Sequence, residues 1–289
     1  MRLVFIHGRS QQGKDPSALR HEWLGALNKG LAQTGLSLPA AVEVRLPFYG
    51  DRLDAFTKAS AVPLTDDLNT RGGEVDADFL AFEAAMAEAL RQGAGITDQQ
   101  INAEYGANPK PKGPQNWEWV QAIFRALDTH TPGISDKALE TFTRDVYLYT
   151  SRAGVKSEIN KIVAADLTDT EPMVVVGHSL GSVVGYSVLR EDPRTLKVPL
   201  YLTVGCPLGV RPIRDQFRPL KFPTPAKAWY NAYDDRDVVA LYPLDKKNFP
   251  VTPAVTNYGK VKNHTDNRHG IVGYLDDPKV ALAIYEALT

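Results

Sequence analysis

The stretch EPMVVVGHSLGSVVGYSVL, residues 171–189, decides how this chain is read. Met173 to Val176 is an unbroken apolar run, the pattern of a short strand buried on both faces. Gly177-His178-Ser179-Leu180-Gly181 follows at once, and Val183 to Leu189 then reads as a helix. A serine between two glycines at a strand-to-helix junction has a steric reason. A side chain lifted clear of a sheet needs a very sharp turn, and side chains two residues before and after it would collide. The helix beyond the turn offers unpaired N–H groups and its positive dipole end to any negative charge developing there.

Outward from that junction the chain alternates strand and helix. Leu3 to Ile6 is a buried-type strand closed by Gly8. Leu19, Trp23, Leu24, Leu27 and Leu31 fall at helical spacing between Ser17 and Gln33, and Val42 to Leu46 is the next strand, stopped by Pro47. Strands are also expected at Leu200–Val204 and Ala228–Ala232, with a weaker one at Ala254–Tyr258. Helices are expected around Val155, Ile159, Ile162 and Val163, and at the end, where Asp277 serves as cap and Pro278 opens the first turn. This is an α/β pattern with a mostly parallel sheet. From Gly50 to Thr143 the alternation stops. Three apolar stripes stand there instead: Phe79, Phe82, Met86 and Leu90; Val120, Ile123, Phe124 and Leu127; Leu139, Phe142, Val146 and Tyr149. Gly106 to Pro114 is loop by composition. The expected organisation is a core of residues 1–49 and 144–289, with 50–143 as a helical insertion over one edge.

Composition removes several alternatives. Of 289 residues, 43% are hydrophobic and 23% charged, ordinary values for a globular chain. Lysine and arginine total 33 against 34 acidic residues, a net charge of −1, so neither nucleic acid nor an anionic membrane is an expected partner. Lys110, Lys112, Lys246 and Lys247 are scattered pairs in loop-like sequence rather than a basic face. The single cysteine, Cys206, excludes an internal disulfide, and it reads as a small buried residue at a strand end. No His, Cys and carboxylate set has metal-ligand spacing, and no segment is long enough to span a bilayer. Residues 1–8 are too short an apolar run for a signal peptide, so a cytoplasmic setting is expected.

The sequence around Ser179 resembles the α/β-hydrolase family, its lipases and esterases in particular. The resemblance covers most of the chain outside 50–143, and it implies a helical cap there and a sheet lacking that family's first antiparallel strands. The family's triad runs serine, acid, histidine in chain order. Of the six histidines, His7, His21, His130, His178, His264 and His269, only the last two follow both Ser179 and a plausible acid. His269, followed by Gly-Ile-Val-Gly-Tyr-Leu and a helix, resembles the family's base; His264 is the alternative. Arg236-Asp237-Val238-Val239 resembles the Asp-Ile/Val-Val-Pro stretch of lipases, although Ala240 replaces the proline. Asp237 is therefore the expected acid and Asp234 the alternative.

The resemblance extends to the oxyanion site. Ile6-His7-Gly8-Arg9 is similar to the family's His-Gly motif, which implies backbone N–H groups of Arg9 and Leu180 as donors, with His7, Gly8, Gly177, His178 and Gly181 supporting. Thr203-Val204-Gly205-Cys206-Pro207-Leu208-Gly209 resembles a stretch that lies near the serine in lipase-like members and carries no chemistry. The implied function is cleavage of carboxylic esters of a small acyl substrate through an acyl-enzyme on Ser179, without cofactor or metal. An amidase, peptidase or acyltransferase would use the same triad, and a non-catalytic binding scaffold would keep the fold. The oligomeric state is not legible in the sequence.

Overall fold

The computed structural model describes residues 1–60, 62, 76–105, 117–131 and 133–289. The loop expected at Gly106–Pro114, with Lys110 and Lys112, lies outside the described residues.

Among the described residues, six parallel strands form one sheet: β1 (Arg2–Ile6), β2 (Glu43–Arg45), β3 (Met173–His178), β4 (Val198–Val204), β5 (Ala226–Ala232) and β6 (Thr256–Tyr258), in the spatial order β2-β1-β3-β4-β5-β6. Alternation along the strands sorts side chains to two faces. Leu3, Phe5, Val174 and Val176 enter one apolar cluster, and Val4, Ile6, Met173 and Val175 enter the other. Burial on both sides explains why β1 and β3 read as continuous apolar runs rather than alternating ones.

Helices cover the two faces. The first cluster is closed by α1 (Pro16–Ala32) and the C-terminal helix, with Trp23, Leu27, Val280 and Ile284 fully or almost fully buried. Asp15 caps α1 by accepting the Ala18 amide. Asp277 caps the C-terminal helix by accepting the amides of Lys279 and Val280, with Pro278 at its first position.

Between β2 and β3 come six helices with described residues, the first five being α2 (Gly50–Ala59), α3 (Ala77–Ala94), α4 (Asp98–Glu104), α5 (Trp117–His130) and α6 (Asp136–Ser151). After them, α7 (Ala153–Ala165) precedes β3 and α8 (Leu180–Glu191) follows it. The three apolar stripes fall on α3, α5 and α6, and their residues join the second cluster together with Val4, Ile6 and α8. The helical segment therefore shares a core with one face of the sheet. Helix α6 runs unbroken across residue 143, so the boundary drawn there from sequence falls inside an element.

The remaining α-helices among the described residues are α9 (Arg211–Arg214), α10 (Val272–Leu275) and α11 (Pro278–Leu288). No helix among the described residues is long and apolar enough to cross a membrane.

The strand order positions the site. From β1 the chain goes through α1 to β2 on one side, while β3 pairs with the other side of β1 and leads into α8 on the opposite face. Helices leaving adjacent strands in opposite directions open a crevice at the strands' C-terminal ends, the usual ligand position in parallel sheets.

Candidate active site

Ser179 stands in that crevice, in the one-residue turn between β3 and α8. Its φ of 55° and ψ of −127° are a strained combination for a residue with a Cβ. The flanking glycines make the turn possible. A Cβ on Gly181 would lie 2.1 Å from the Ile6 carbonyl oxygen, and one on Gly177 would lie 2.7 Å from the Ser182 Cα. The Ser179 N–H donates to Val204 O at 3.1 Å, and Ser182 returns both its N–H and its hydroxyl to Ser179 O.

The histidine loop brings His269 to this serine. Ser179 Oγ donates to His269 Nε2 at 2.8 Å, and His269 Nδ1 donates to Asp237 Oδ2 at 2.7 Å. Because a carboxylate only accepts, the ring proton sits on Nδ1 and the Nε2 lone pair faces the hydroxyl. The three residues are separated by 32 to 90 positions along the chain. Asp237 is 1% exposed, and its other oxygen accepts the Val239 amide at 3.0 Å, so it caps the short turn Val238–Ala240.

The two alternatives lie elsewhere. His264 Nε2 bonds Asp276 Oδ2 at 2.7 Å, with Lys29 reaching the same oxygen. Asp234 is buried and accepts the Arg236 amide and guanidinium together with the Asn263 N–H. Burial works against its charge, but these donors outweigh burial and hold its carboxyl below the ordinary carboxylate range. Asp234 thus ties the acid loop to the start of the histidine loop. That second loop is laced internally: Asn263 Nδ2 donates to Gly270 O, Gly270 N to Thr265 Oγ1, and His269 N to Asn267 Oδ1.

His178 and His7 are both bonded as frame rather than as bases. His178 Nε2 donates to the His269 carbonyl at 2.7 Å, and the two rings lie 4.8 Å apart. Burial, followed by the neighbouring His269, pushes the His178 imidazole well below its ordinary range and keeps it neutral. His7 Nδ1 donates to Gly8 O while its Nε2 accepts the Tyr49 amide, so both nitrogens are occupied. Burial lowers its pKa to about 4. Tyr49 stacks on the same ring and its hydroxyl donates to His7 O.

This clamp fixes the loop after β1 against the serine. A Cβ on Gly8 would stand 3.0 Å from the Ser179 Cβ. Arg9 follows directly, and Leu180 is the first residue of α8, whose N–H has no acceptor within the helix ladder. The Arg9 side chain turns away to α6, its Nε donating to Asp145 Oδ2 at 3.0 Å.

A cavity of about 570 Å³ opens on Ser179 and His269. Its wall mixes apolar Trp23, Ile134, Phe142 and Val239 with polar Gln11 and Asn267. Ser179 is only 2% exposed yet lines this space, so its hydroxyl is sheltered rather than sealed. Cys206 follows Gly205 at the end of β4 and is buried, and burial pushes its thiol up to about 11, away from thiolate chemistry. Among the described residues, no group of three or more His, Cys, Asp or Glu side chains is placed to hold a metal ion.

Sequence reading missed Tyr49, Asp145 and Tyr274. Tyr274 belongs to the Gly-Ile-Val-Gly-Tyr-Leu stretch after His269, and its hydroxyl donates to Asp237 Oδ2 at 2.6 Å. Its position just beyond the histidine was the available signal. No family model matches the chain, and no curated protein or solved structure matches it significantly.

Proposed function

We propose that this chain is a serine hydrolase of the α/β-hydrolase type, lipase- or esterase-like, that cleaves carboxylic esters by two-step acyl transfer. The observation that carries the reading is the chain of contacts from Ser179 Oγ through His269 to Asp237, at 2.8 and 2.7 Å, on a strained strand-to-helix turn at the floor of a cavity. In this reading Ser179 attacks the ester carbonyl as its proton passes to His269 Nε2. Asp237 stabilises the imidazolium and keeps the ring in the required tautomer. The oxyanion is received by the amides of Arg9 and Leu180. His269 returns the proton to the leaving alcohol, and water then releases the acid through the same relay. The helical segment acts as a cap, because Ile134, Ser135, Ala138 and Phe142 contribute one wall of the cavity.

The test is covalent. A fluorophosphonate probe labels the wild-type chain, and Ser179→Ala abolishes labelling and lowers ester turnover by a factor on the order of 10⁶. Unlabelled wild-type protein overturns the reading. A panel of p-nitrophenyl esters of increasing acyl length, run beside peptide substrates, tests the bond type. Turnover of peptides and of no ester would replace esterase by peptidase.

A further inference from the structure

Asp237 carries one more donor than a proton relay requires. Its Oδ1 accepts the Val239 amide, while its Oδ2 accepts both His269 Nδ1 at 2.7 Å and the Tyr274 hydroxyl at 2.6 Å. The Tyr274 oxygen in turn accepts the Asp234 N–H at 3.3 Å, so the phenol bridges the first residue of the acid loop and the acid itself. Tyr274 is fully buried. Its ring packs beside the imidazole on the turn at Gly205, where an added Cβ would lie 3.0 Å from His269 Cε1 and 3.2 Å from Tyr274 Cε2. Tyr274 is not among the residues lining the cavity.

We infer that Tyr274 is a positioning residue for the relay: by donating to the oxygen that also holds His269 Nδ1, its hydroxyl fixes the carboxylate's orientation and limits its pull on the imidazolium. The inference rests on the hydrolase reading above. Two donors on one oxygen divide its charge, so each bond to it is weaker than it would be alone. Removing the phenol leaves Oδ2 to the histidine, and a more basic carboxylate then stabilises the imidazolium further. Burial, and next the Asp237 charge, holds the Tyr274 phenol well above its ordinary range, so it remains a donor across the working pH.

Other ionisable groups around the relay are accounted for. His178 faces His269 and Tyr274 from β3 and is neutral, with His7 neutral behind it. Asp234 is balanced by Arg236. Asp276, two residues beyond Tyr274, is engaged by His264 and Lys29. Arg9, Lys14 and Glu22 line the cavity, with Arg9 paired to Asp145.

Tyr274→Phe keeps the ring and removes only the hydroxyl. The expected result is an acid limb of kcat/KM displaced upward by about half a unit to one unit, with KM unchanged because the residue does not line the cavity. A second readout needs no substrate: the His269 Nδ1 proton resonance moves further downfield in the variant as its bond to Asp237 strengthens. Placing 3-fluorotyrosine at position 274 alone supplies a stronger donor and shifts the limb the other way, which keeps the test available if the phenylalanine variant folds poorly. An unmoved limb and an unmoved resonance in folded protein overturn the inference. Wild-type protein that neither turns over esters nor takes the probe defeats the hydrolase reading instead, and the resonance then judges the Tyr274 bond by itself.

Discussion

Two buried carboxylates, Asp237 at the rim of the sheet and Glu83 in the helical segment, are treated in opposite ways. At the rim, Ser179 and Asp237 are almost wholly covered, and every oxygen of the two side chains has a partner at 2.6 to 3.0 Å. In α3, Glu83 is fully buried, and neither of its oxygens has a hydrogen-bond partner among the described residues. Rim loops are fixed by bonds that cross from one loop to another, as Asp234 to Asn263 and His178 to His269 do. Helices α3, α5 and α6 are held by apolar stripes, a less directional kind of packing. The difference teaches where accuracy is needed: atoms within hydrogen-bond reach lose function when shifted by an ångström, whereas a packed stripe tolerates such shifts.

The largest expected effects come from cutting the rim's own bonds. His269→Ala lowers kcat/KM on the order of 10⁶-fold, as loss of Ser179 does, and Asp237→Asn lowers it by roughly 10⁴-fold. His264→Ala leaves kcat/KM unchanged, because that ring points to Asp276 on another side of the loop. Steady-state kinetics on one p-nitrophenyl ester distinguishes the pair. Equal losses in the two histidine variants would break the contrast between the serine-facing ring and its neighbour.

An intermediate effect is expected where the two regions meet. The loop after β1 reaches α6 through the Arg9 guanidinium on Asp145, and Thr57 of α2 approaches the other Asp145 oxygen at 3.4 Å. If this tether holds the Arg9 amide in place, Asp145→Ala lowers kcat by about 10- to 100-fold with little change in KM. The measurement is a full kcat and KM determination beside a thermal melt. A rise in KM alone would show that the tether shapes the cavity wall rather than the loop after β1.

How much of this was legible in the sequence follows from the range of each interaction. Steric and periodic signals are local, so the strand at Met173–Val176, which the fold extends to His178, the glycine-flanked turn and the capped last helix could be read from neighbouring residues. Choosing between His264 and His269, or between Asp234 and Asp237, needed distances across 32 to 90 positions, which no local pattern contains. A resemblance to known loops ranked them; the fold shows which ones meet. Tyr274 and Asp145 were missed for the same reason: their partners, the Asp237 carboxylate and the Arg9 guanidinium, lie 37 and 136 residues away. The helical stripes gave α3, α5 and α6, and the boundary drawn at residue 143 falls inside α6, which carries one apolar face straight through it.

The smallest effect is expected at Glu83, in stability rather than activity. Burial, and next the like charge of Glu140, raises its pKa to about 9, with Arg144 partly opposing. Gln121 faces the same acidic pair, donating to Glu140. Since the folded-state value lies above the ordinary 4.5, the folded chain holds a proton that the unfolded chain has released over that window. Its contribution is fully present below about 4.5 and is lost as pH rises through about 9, at no more than about 1.4 kcal/mol per pH unit. Glu83→Gln cannot titrate, so its melting temperature should match wild type near pH 4.5 and exceed it increasingly toward pH 9. The slope of that gap is at most about 2–4 °C per pH unit for a chain of this size, with relative kcat/KM unaltered. Parallel melting curves across the same range would mean that the carboxyl is solvated in the folded state, and the contrast between the bonded Asp237 carboxylate and the unbonded Glu83 carboxyl would not survive.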